Sequence, residues 1–325
     1  CKDVATVRKN EYVNLPVICL VGPTASGKSG LAVRVCRRLY VDEHPAEIIN
    51  TDSMVVYRGM DIGTATPTLR EQRTVVHHLV SILDVTVPSS LVLMQTLARD
   101  AVEDCLSRGV IPVLVGGSAL YTKAIIDEMS IPPTDPEVRA RWQEKLDAEG
   151  PRVLHDELAR RDPKAAESIL PGNGRRIVRA LEVIDLTGSF TATIPDGTLH
   201  WPKTVQMGLE LSRKDIDQRI ADRVDQMWAY GFVDEVRSLA NVGLREGLTA
   251  SRALGYRQVL EYLNGDYDED EARRRTIIGT RRFARKQLMW YRRDDRIEWF
   301  NALAPDLDDR VVARVLTALT TDEED

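Results

Sequence analysis

Two periodicities divide this chain. Short unbroken apolar runs read as buried strands: Val17-Ile18-Cys19-Leu20-Val21, Ile48-Ile49 within 47–50, and Val110-Ile111-Pro112-Val113-Leu114-Val115. Parallel strands covered on both faces carry such runs without polar alternation. Between them, apolar residues recur every three or four positions, the mark of helices with one buried stripe. Leu31, Val35 and Leu39 define a first helix, with Arg34, Arg37 and Arg38 on its other faces, and a second covers 93–106. Strand character returns over 205–211. Two helices follow, with stripes Ile216, Ile220, Val224 and Phe232, Val236, Leu239, and a long helix spans 271–293. Strands alternating with helices predict an α/β fold around a parallel sheet.

The join between the first strand and the first helix is the most specific stretch. Gly22-Pro23-Thr24-Ala25-Ser26-Gly27-Lys28-Ser29 fits the phosphate-cradling pattern G-x-x-x-x-G-K-[ST], and both flanks are right for it. Backbone N–H groups and the positive end of the helix dipole converge there. Lys28 would neutralise the outer phosphate, and the Ser29 hydroxyl would ligate a divalent cation. The core is therefore expected to be a P-loop NTPase-like parallel sheet. Ligands of such sheets gather outside the carboxyl ends of the strands. Asp52, just past the second strand, stands where a catalytic or metal-shell carboxylate belongs; it also suits a helix N-cap, and the two roles can coexist. Residues 55–66 read as a Gly-punctuated loop over the site. Gly116-Gly117-Ser118 ends another strand, either letting backbone approach a ligand and offering a hydroxyl, or making a plain turn. His77 and His78 would point to opposite faces of a strand, which favours structural roles over a shared metal.

Near residue 130 the pattern changes. Pro132, Pro133 and Pro136 open a charged helical region with helices over 137–148, 153–160 and 173–186, separated by Gly150-Pro151, Asp162-Pro163 and Pro171-Gly172. We therefore divide the chain into core residues 1–129, a helical insertion domain at 130–202, and core residues 203–325. Arg175, Arg176 and Arg179 lie on neighbouring faces of one insertion helix, a solvated face or an RNA-facing patch.

Composition narrows the partners. The chain has 325 residues, 43% of them hydrophobic, and no apolar run approaches the ~18 residues of a membrane span. Net charge is −6, so any nucleic-acid contact must come from local patches. Residues 271–293 supply one, with nine basic residues against Glu271, a local charge of +8. Arg274, Arg281, Arg285 and Arg292 share one helix face there, and Trp290 and Tyr291 lie in the same stretch, which favours a polyanion surface. Cys1, Cys19, Cys36 and Cys105 have no C-x-x-C spacing and read as small core residues, not metal ligands or a disulfide framework. No secretory signal is visible, so a cytoplasmic protein is expected. The chain begins at Cys1 instead of Met, which leaves room for a longer native N-terminus, and 321–325 reads as a disordered acidic tail.

Taken together, these stretches resemble the tRNA dimethylallyltransferases, the bacterial tRNA isopentenyltransferases. The resemblance rests on GPTASGKS (22–29), Asp52-Ser53 with VYRGMDIGTA (56–65), HHL (77–79), PVLVGGSALY (112–121), DPEVRAR (135–141), RRIVRALEV (175–183), GF-x-x-EV (231–236), ALGYRQ (253–258) and RRFARKQLMWYR (281–292). It implies transfer of a dimethylallyl group from its diphosphate to N6 of adenine 37 in tRNA. Gly22 to Ser29 would hold the diphosphate. Lys28, Mg²⁺ on Ser29, and Arg252 would stabilise charge on the leaving group, and Asp52 would be the general base. Ser118 joins Lys28, Asp52 and Arg252 in the implied catalytic set. Asp52, Ser53, Met54, Val55 and Ser118 would contact the flipped base. Arg139, the segment Arg175, Arg176, Ile177, Val178, Arg179, and the segment Arg252, Gly255, Tyr256, Arg257 would hold the anticodon stem-loop. The insertion would be the clamp, and the protein would act as a monomer.

Some positions depart from the family pattern. Ser29 and Ser118 replace the usual Thr, and Leu97-Ala98 stand where relatives often carry an aromatic and a polar residue. The zinc-finger tail of eukaryotic relatives is not expected here, given four cysteines without C-x-x-C spacing. Three rivals remain: the same transfer onto a free adenine nucleotide, a P-loop kinase, and an RNA-binding module with an inactive phosphate loop. The insertion and the basic helix argue against the first. The second would need a flexible lid with arginines aimed at ATP and a preference for ATP over a prenyl diphosphate. Intact Lys28, Ser29 and Asp52 argue against the third.

Overall fold

The structure, a computed structural model, describes residues 15–190 and 197–321; Cys1 and the 322–325 part of the acidic tail lie outside the described residues. Strand β1 (Val17–Val21) leads through the Gly-rich loop into α1 (Lys28–Val41). Then follow β2 (Ala46–Asn50), α2 (Leu69–Thr74), the two-residue β3 (His77–His78), α3 (Leu91–Ser107), β4 (Ile111–Val115) and α4 (Ala119–Ile126). The apolar run after the histidines does not continue the strand. Leu79 and Ser81 take positive φ, and their segment is irregular.

Contacts separate a compact unit, Glu128–Thr198, from the remainder. Its helices are α5 (Pro136–Glu149), α6 (Pro151–Arg161), α7 (Pro163–Ser168) and α8 (Gly174–Thr187). Asp162-Pro163 is not only a break but also a start. Asp162 caps α7 by accepting the Ala165 N–H at 3.0 Å, with Pro at the first turn. The unit has its own core, in which Trp142, Leu154, Leu158, Ile177, Val178 and Leu181 are buried together.

The other unit resumes with β5 (Thr204–Glu210), α9 (Arg213–Ala229), α10 (Phe232–Ala240), a short 3-10 turn at Ala250–Arg252, α11 (Tyr256–Leu263), α12 (Glu269–Tyr291), β6 (Ile297–Asn301) and α13 (Leu307–Thr320). The sheet order is β3-β2-β4-β1-β5-β6, and every pairing is parallel. Alternation along the strands assigns the two faces. Ile18 and Leu20 pack with Leu31, Val35 and Leu39 of α1 and with Val311 and Val315 of α13. Val17, Cys19 and Val21 face Ala98, Val102 and Cys105 of α3, Ile125 and Ile126 of α4, and Tyr291 of α12. Each such fully buried aliphatic stabilises by about 1.5–3 kcal/mol relative to exposure. Cys19, Cys36 and Cys105 are buried free thiols, as the spacing suggested. Ala98 is one of these core residues, so that departure from the family pattern lies in the sheet packing.

A third cluster joins the 55–66 loop to the later helices. Val56, Tyr57 and Met60 are fully buried against Val224, Phe232, Val236, Tyr256 and Val259, so the loop is a packed element. Among the described residues no helix is long and apolar enough to cross a membrane.

Candidate active site

The phosphate loop is held open from two directions. Gly27 caps α1 in the left-handed region (φ +94°), where a residue with Cβ would be strained. On the other side, Gln287 of α12 accepts the Thr24 N–H at 2.9 Å and donates to the Gly117 carbonyl at 2.7 Å. The Gly116-Gly117 turn therefore packs closely against protein on its Cα side while still lining the cavity beside the phosphate loop. A Cβ on Gly116 would lie 2.0 Å from Thr51 Oγ1, and one on Gly117 2.5 Å from Gln287 Nε2. The Tyr291 hydroxyl also reaches the Gly116 carbonyl, at 3.3 Å.

Lys28 is 8% exposed, and its Nζ donates to the Pro23 carbonyl at 2.7 Å and to Ser26 Oγ at 3.4 Å. Burial, reinforced by the nearby Arg223 charge, brings this amine down to about 7, while Asp52 pulls in the opposite direction. Asp52 is not a helix N-cap. It sits in a turn, where its Oδ1 accepts the Met54 N–H at 2.9 Å. The Asn50 side chain clamps it from both sides, accepting the Asp52 N–H and donating to the Asp52 carbonyl, each at 2.9 Å. Ser118 begins α4 without using its hydroxyl as a cap.

These groups line one cavity of about 910 Å³. Thr24, Ala25, Gly27, Lys28, Ser29, Asp52, Ser53, Met54, Val55, Ser118, Arg252 and Tyr256 all reach it. Its charge is lopsided: Lys28, Arg219, Arg223 and Arg252 face Asp52 and Asp222. Val55, Ile220, Val224, Met227, Leu254 and Phe283 add an apolar wall. A site that pairs one buried amine and three more open guanidinium groups with an apolar wall suits a small molecule carrying phosphates at one end and hydrocarbon at the other.

Arg219 and Arg223 were not singled out in the sequence. They stand four apart on α9, on the turns next to the Ile216, Ile220, Val224 stripe. Arg223 donates to Thr24 Oγ1 at 3.2 Å, and the Arg219 guanidinium comes within 3.8 Å of where a Gly27 Cβ would lie. Cations spaced to flank an apolar stripe were the available signal.

Several residues expected to meet RNA do other work. Arg139 and Arg179 both pair with Glu182, which is 0% exposed, and Arg179 also donates to the Pro132 and Pro133 carbonyls. Ile177 and Val178 are core residues of their own unit. Gly255 is buried under Phe232. Tyr256, also buried, stacks edge-on against Phe232 and donates its hydroxyl to Glu235 at 2.6 Å. Arg175, Arg176, Arg252 and Arg257 are exposed, with Arg257 3.7 Å from Glu261.

The basic helix is more balanced than 271–293 suggested. α12 begins at Glu269, so Glu269, Asp270 and Glu271 complement its dipole. Over Glu269–Tyr291 seven basic residues face three acidic ones, leaving +4. Arg273 pairs with Asp225, Arg274 and Arg275 with Glu271, and Arg281 donates to the Asp217 carbonyl. Arg282 and Lys286 have no ion pair among the described residues and stand beside Phe283, 42% exposed, with Trp290, 43% exposed, further along the helix.

Among the described residues one group has metal-ligand character, Glu47, His78 and Cys105. Arg108 already holds both Glu47 oxygens, at 2.8 and 2.6 Å, and brings that carboxyl down to about 2, with His78 assisting at 2.6 Å. The guanidinium supplies the positive charge a metal would bring. His77 is tied to the Val75 carbonyl at 2.8 Å. At the phosphate loop, by contrast, the Ser29 hydroxyl and the Asp52 carboxylate are few and hard oxygen donors. They fit Mg²⁺, which keeps several waters and completes its shell from substrate phosphates.

A family model described as IPP transferase matches residues 55–294. A tRNA dimethylallyltransferase of Thermobifida fusca is 54% identical over 300 residues, covering 92% of this chain and 94% of its own length. One of Kineococcus radiotolerans is 55% identical over 292 residues, covering 89% and 92%. The solved structure of the full-length tRNA isopentenylpyrophosphate transferase of Bacillus halodurans gives a TM-score of 0.68 at 36% identity, covering 94% of this chain and 96% of that one. A eukaryotic dimethylallyltransferase acting on tRNA, 23% identical with a TM-score of 0.77 over 96% of this chain and 81% of its own, supports the fold alone. With the phosphate loop, the Asp52 turn and these likenesses in hand, the chain belongs to the IPP transferase family of tRNA dimethylallyltransferases.

Proposed function

We propose that this protein transfers a dimethylallyl group from dimethylallyl diphosphate to N6 of adenine 37 in tRNA, releasing diphosphate, as a cytoplasmic monomer. The observation that carries the reading is the single cavity in which a buried amine, a clamped carboxylate and an apolar wall meet at a phosphate loop. The loop and Lys28 bind the diphosphate, with Arg223 and Arg252 beside it, and the apolar wall takes the five-carbon chain. N6 forms its bond to the allylic carbon as the carbon–oxygen bond to diphosphate breaks, the electron pair leaving with the diphosphate. Asp52 accepts the amine proton through its second oxygen. Lys28 and Arg223 stabilise the charge that grows on the leaving group. Mg²⁺, held by Ser29 with Asp52 nearby, would add charge neutralisation on the diphosphate when bound. Ser118 and residues 53–55 enclose the base, which must leave its stack to enter.

Mass spectrometry of an anticodon stem-loop incubated with protein, Mg²⁺ and dimethylallyl diphosphate tests the reading. A gain of one prenyl unit on one adenine is expected. A gain on adenosine monophosphate but not on the stem-loop moves the acceptor to free nucleotides, and no gain on either overturns the transfer.

RNA is held electrostatically by exposed arginines, Arg175 and Arg176 among them. Reversing both to glutamate should weaken stem-loop binding and lower its log–log salt slope by about 0.7–0.9 per lost phosphate contact. Arg179 must be left alone, because its bonds to Glu182, Pro132 and Pro133 hold the fold. Titration of labelled stem-loop at several salt concentrations reads the slope. An unchanged slope makes this helix face an ordinary solvated one.

A further inference from the structure

The Glu235 carboxylate gathers more donors than any capping role requires. It lies in the first turn of α10 and is half-buried. Its Oε2 accepts the N–H groups of Asp61 at 3.1 Å and Ile62 at 2.7 Å. Its Oε1 accepts that of Gly63 at 3.3 Å and the Tyr256 hydroxyl at 2.6 Å. Three consecutive backbone donors on one carboxylate fix the plane of each peptide they belong to, and a charged acceptor makes such bonds roughly twice as strong as neutral ones. Packing admits no slack at the same point. A Cβ on Gly63 would lie 2.4 Å from the Tyr256 ring and 2.5 Å from that of Phe232.

The other end of this tether reaches the phosphate loop. The Gly63 carbonyl accepts from Arg223 Nη2 in a long 3.5 Å contact, and Arg223 Nη1 donates to Thr24 Oγ1 at 3.2 Å. Arg223 has no carboxylate within ion-pair distance among the described residues, so these two oxygens alone aim its guanidinium. We propose that Glu235 is a positioning residue. It holds the 61–63 backbone so that the Gly63 carbonyl, with Thr24, orients Arg223 toward a diphosphate in the loop. The inference rests on the phosphate-site reading above, and it concerns a residue that touches no substrate.

Glu235→Gln keeps the size of the side chain but removes its charge and one acceptor, setting an NH₂ group against N–H donors. Titration calorimetry with inorganic diphosphate should show about tenfold weaker binding than wild type. KM for dimethylallyl diphosphate should rise by a similar factor while stem-loop affinity stays within twofold. The deciding measurement is the cycle with Arg223→Lys. If Glu235 acts through Arg223, the double variant binds diphosphate no more weakly than Arg223→Lys alone. Independent, multiplying losses would overturn the proposal, as would wild-type diphosphate affinity in Glu235→Gln. Should Glu235→Gln fail to fold, Glu235→Asp, which keeps the charge but shortens the reach, reads the same cycle. A wild-type protein that binds no diphosphate refutes the phosphate-site reading instead.

Discussion

Lys28→Ala should slow prenyl transfer by about 10²–10³-fold, the usual loss when one preorganised charge-stabilising donor at a reacting oxygen is removed. The expectation follows from where the amine sits. Nζ is anchored to the Pro23 carbonyl at the mouth of the loop, is nearly inaccessible, and has no carboxylate bonded to it. Burial lowers it to about 7, well under the ordinary lysine value. At pH 8 the free site therefore holds a mostly neutral amine, and an arriving diphosphate favours the ammonium. Binding at pH 8 should take up about one proton through this residue in wild type and none through it in Lys28→Met. Calorimetry in two buffers of different ionisation enthalpy reads the difference. The same depression gives a stability signature. The unfolded chain holds this proton up to about 10.5 and the folded one only to about 7. Wild-type stability should rise with pH across that window, and below it the full cost of burying the charge remains. Lys28→Met should thus melt at or above the wild-type temperature at neutral pH while being nearly inactive. Near-wild-type turnover in Lys28→Ala would remove the amine from the mechanism.

Asp52→Asn should leave both substrates bound and cut the chemical step by about 10²–10⁴-fold, the range for a positioned general base. The substitution is conservative for the fold. An asparagine Oδ1 can still accept the Met54 N–H, and the clamp from Asn50 acts on backbone atoms that do not change. What disappears is the carboxylate oxygen to which the proposed mechanism gives the proton of the attacking amine. Single-turnover rates on a preformed stem-loop complex isolate that step. A rate close to wild type with collapsed RNA affinity would make Asp52 a binding residue.

The parts of this site that were legible in the sequence are those whose causes are local. The phosphate loop is a strand, a turn and a helix start within a dozen consecutive residues. Val17–Val21 and Ile111–Val115 announce themselves because both faces are buried, leaving no polar alternation to confuse them with an exposed strand. The stripes of α1, α9 and α10 were readable because each helix buries one face, so its apolar residues recur every three or four positions. Asp52 could be placed because a residue just past a strand of an open sheet must lie at its ligand edge.

What sequence could not supply was the use made of each polar group, since a charge on a helix looks the same whether it meets water, RNA or another side chain. Arg139 and Arg179 read as RNA contacts, yet both pair with Glu182, and Arg179 also holds two proline carbonyls, while Arg139 stays half exposed. The long basic helix read as a surface, while its buried edge supports the Gly-rich loop through Gln287. Gln287 meets Thr24 across 263 residues of chain and Gly117 across 170. Arg223 and Glu235 acquire their roles in the same way, through partners brought near only when the 55–66 loop packs against α9, α10 and α11. Local periodicity and turn chemistry thus determined the phosphate loop, the strands and the helix faces. The tertiary structure decided which cations remain for a diphosphate or for RNA, because pairing depends on distances that only the folded chain sets.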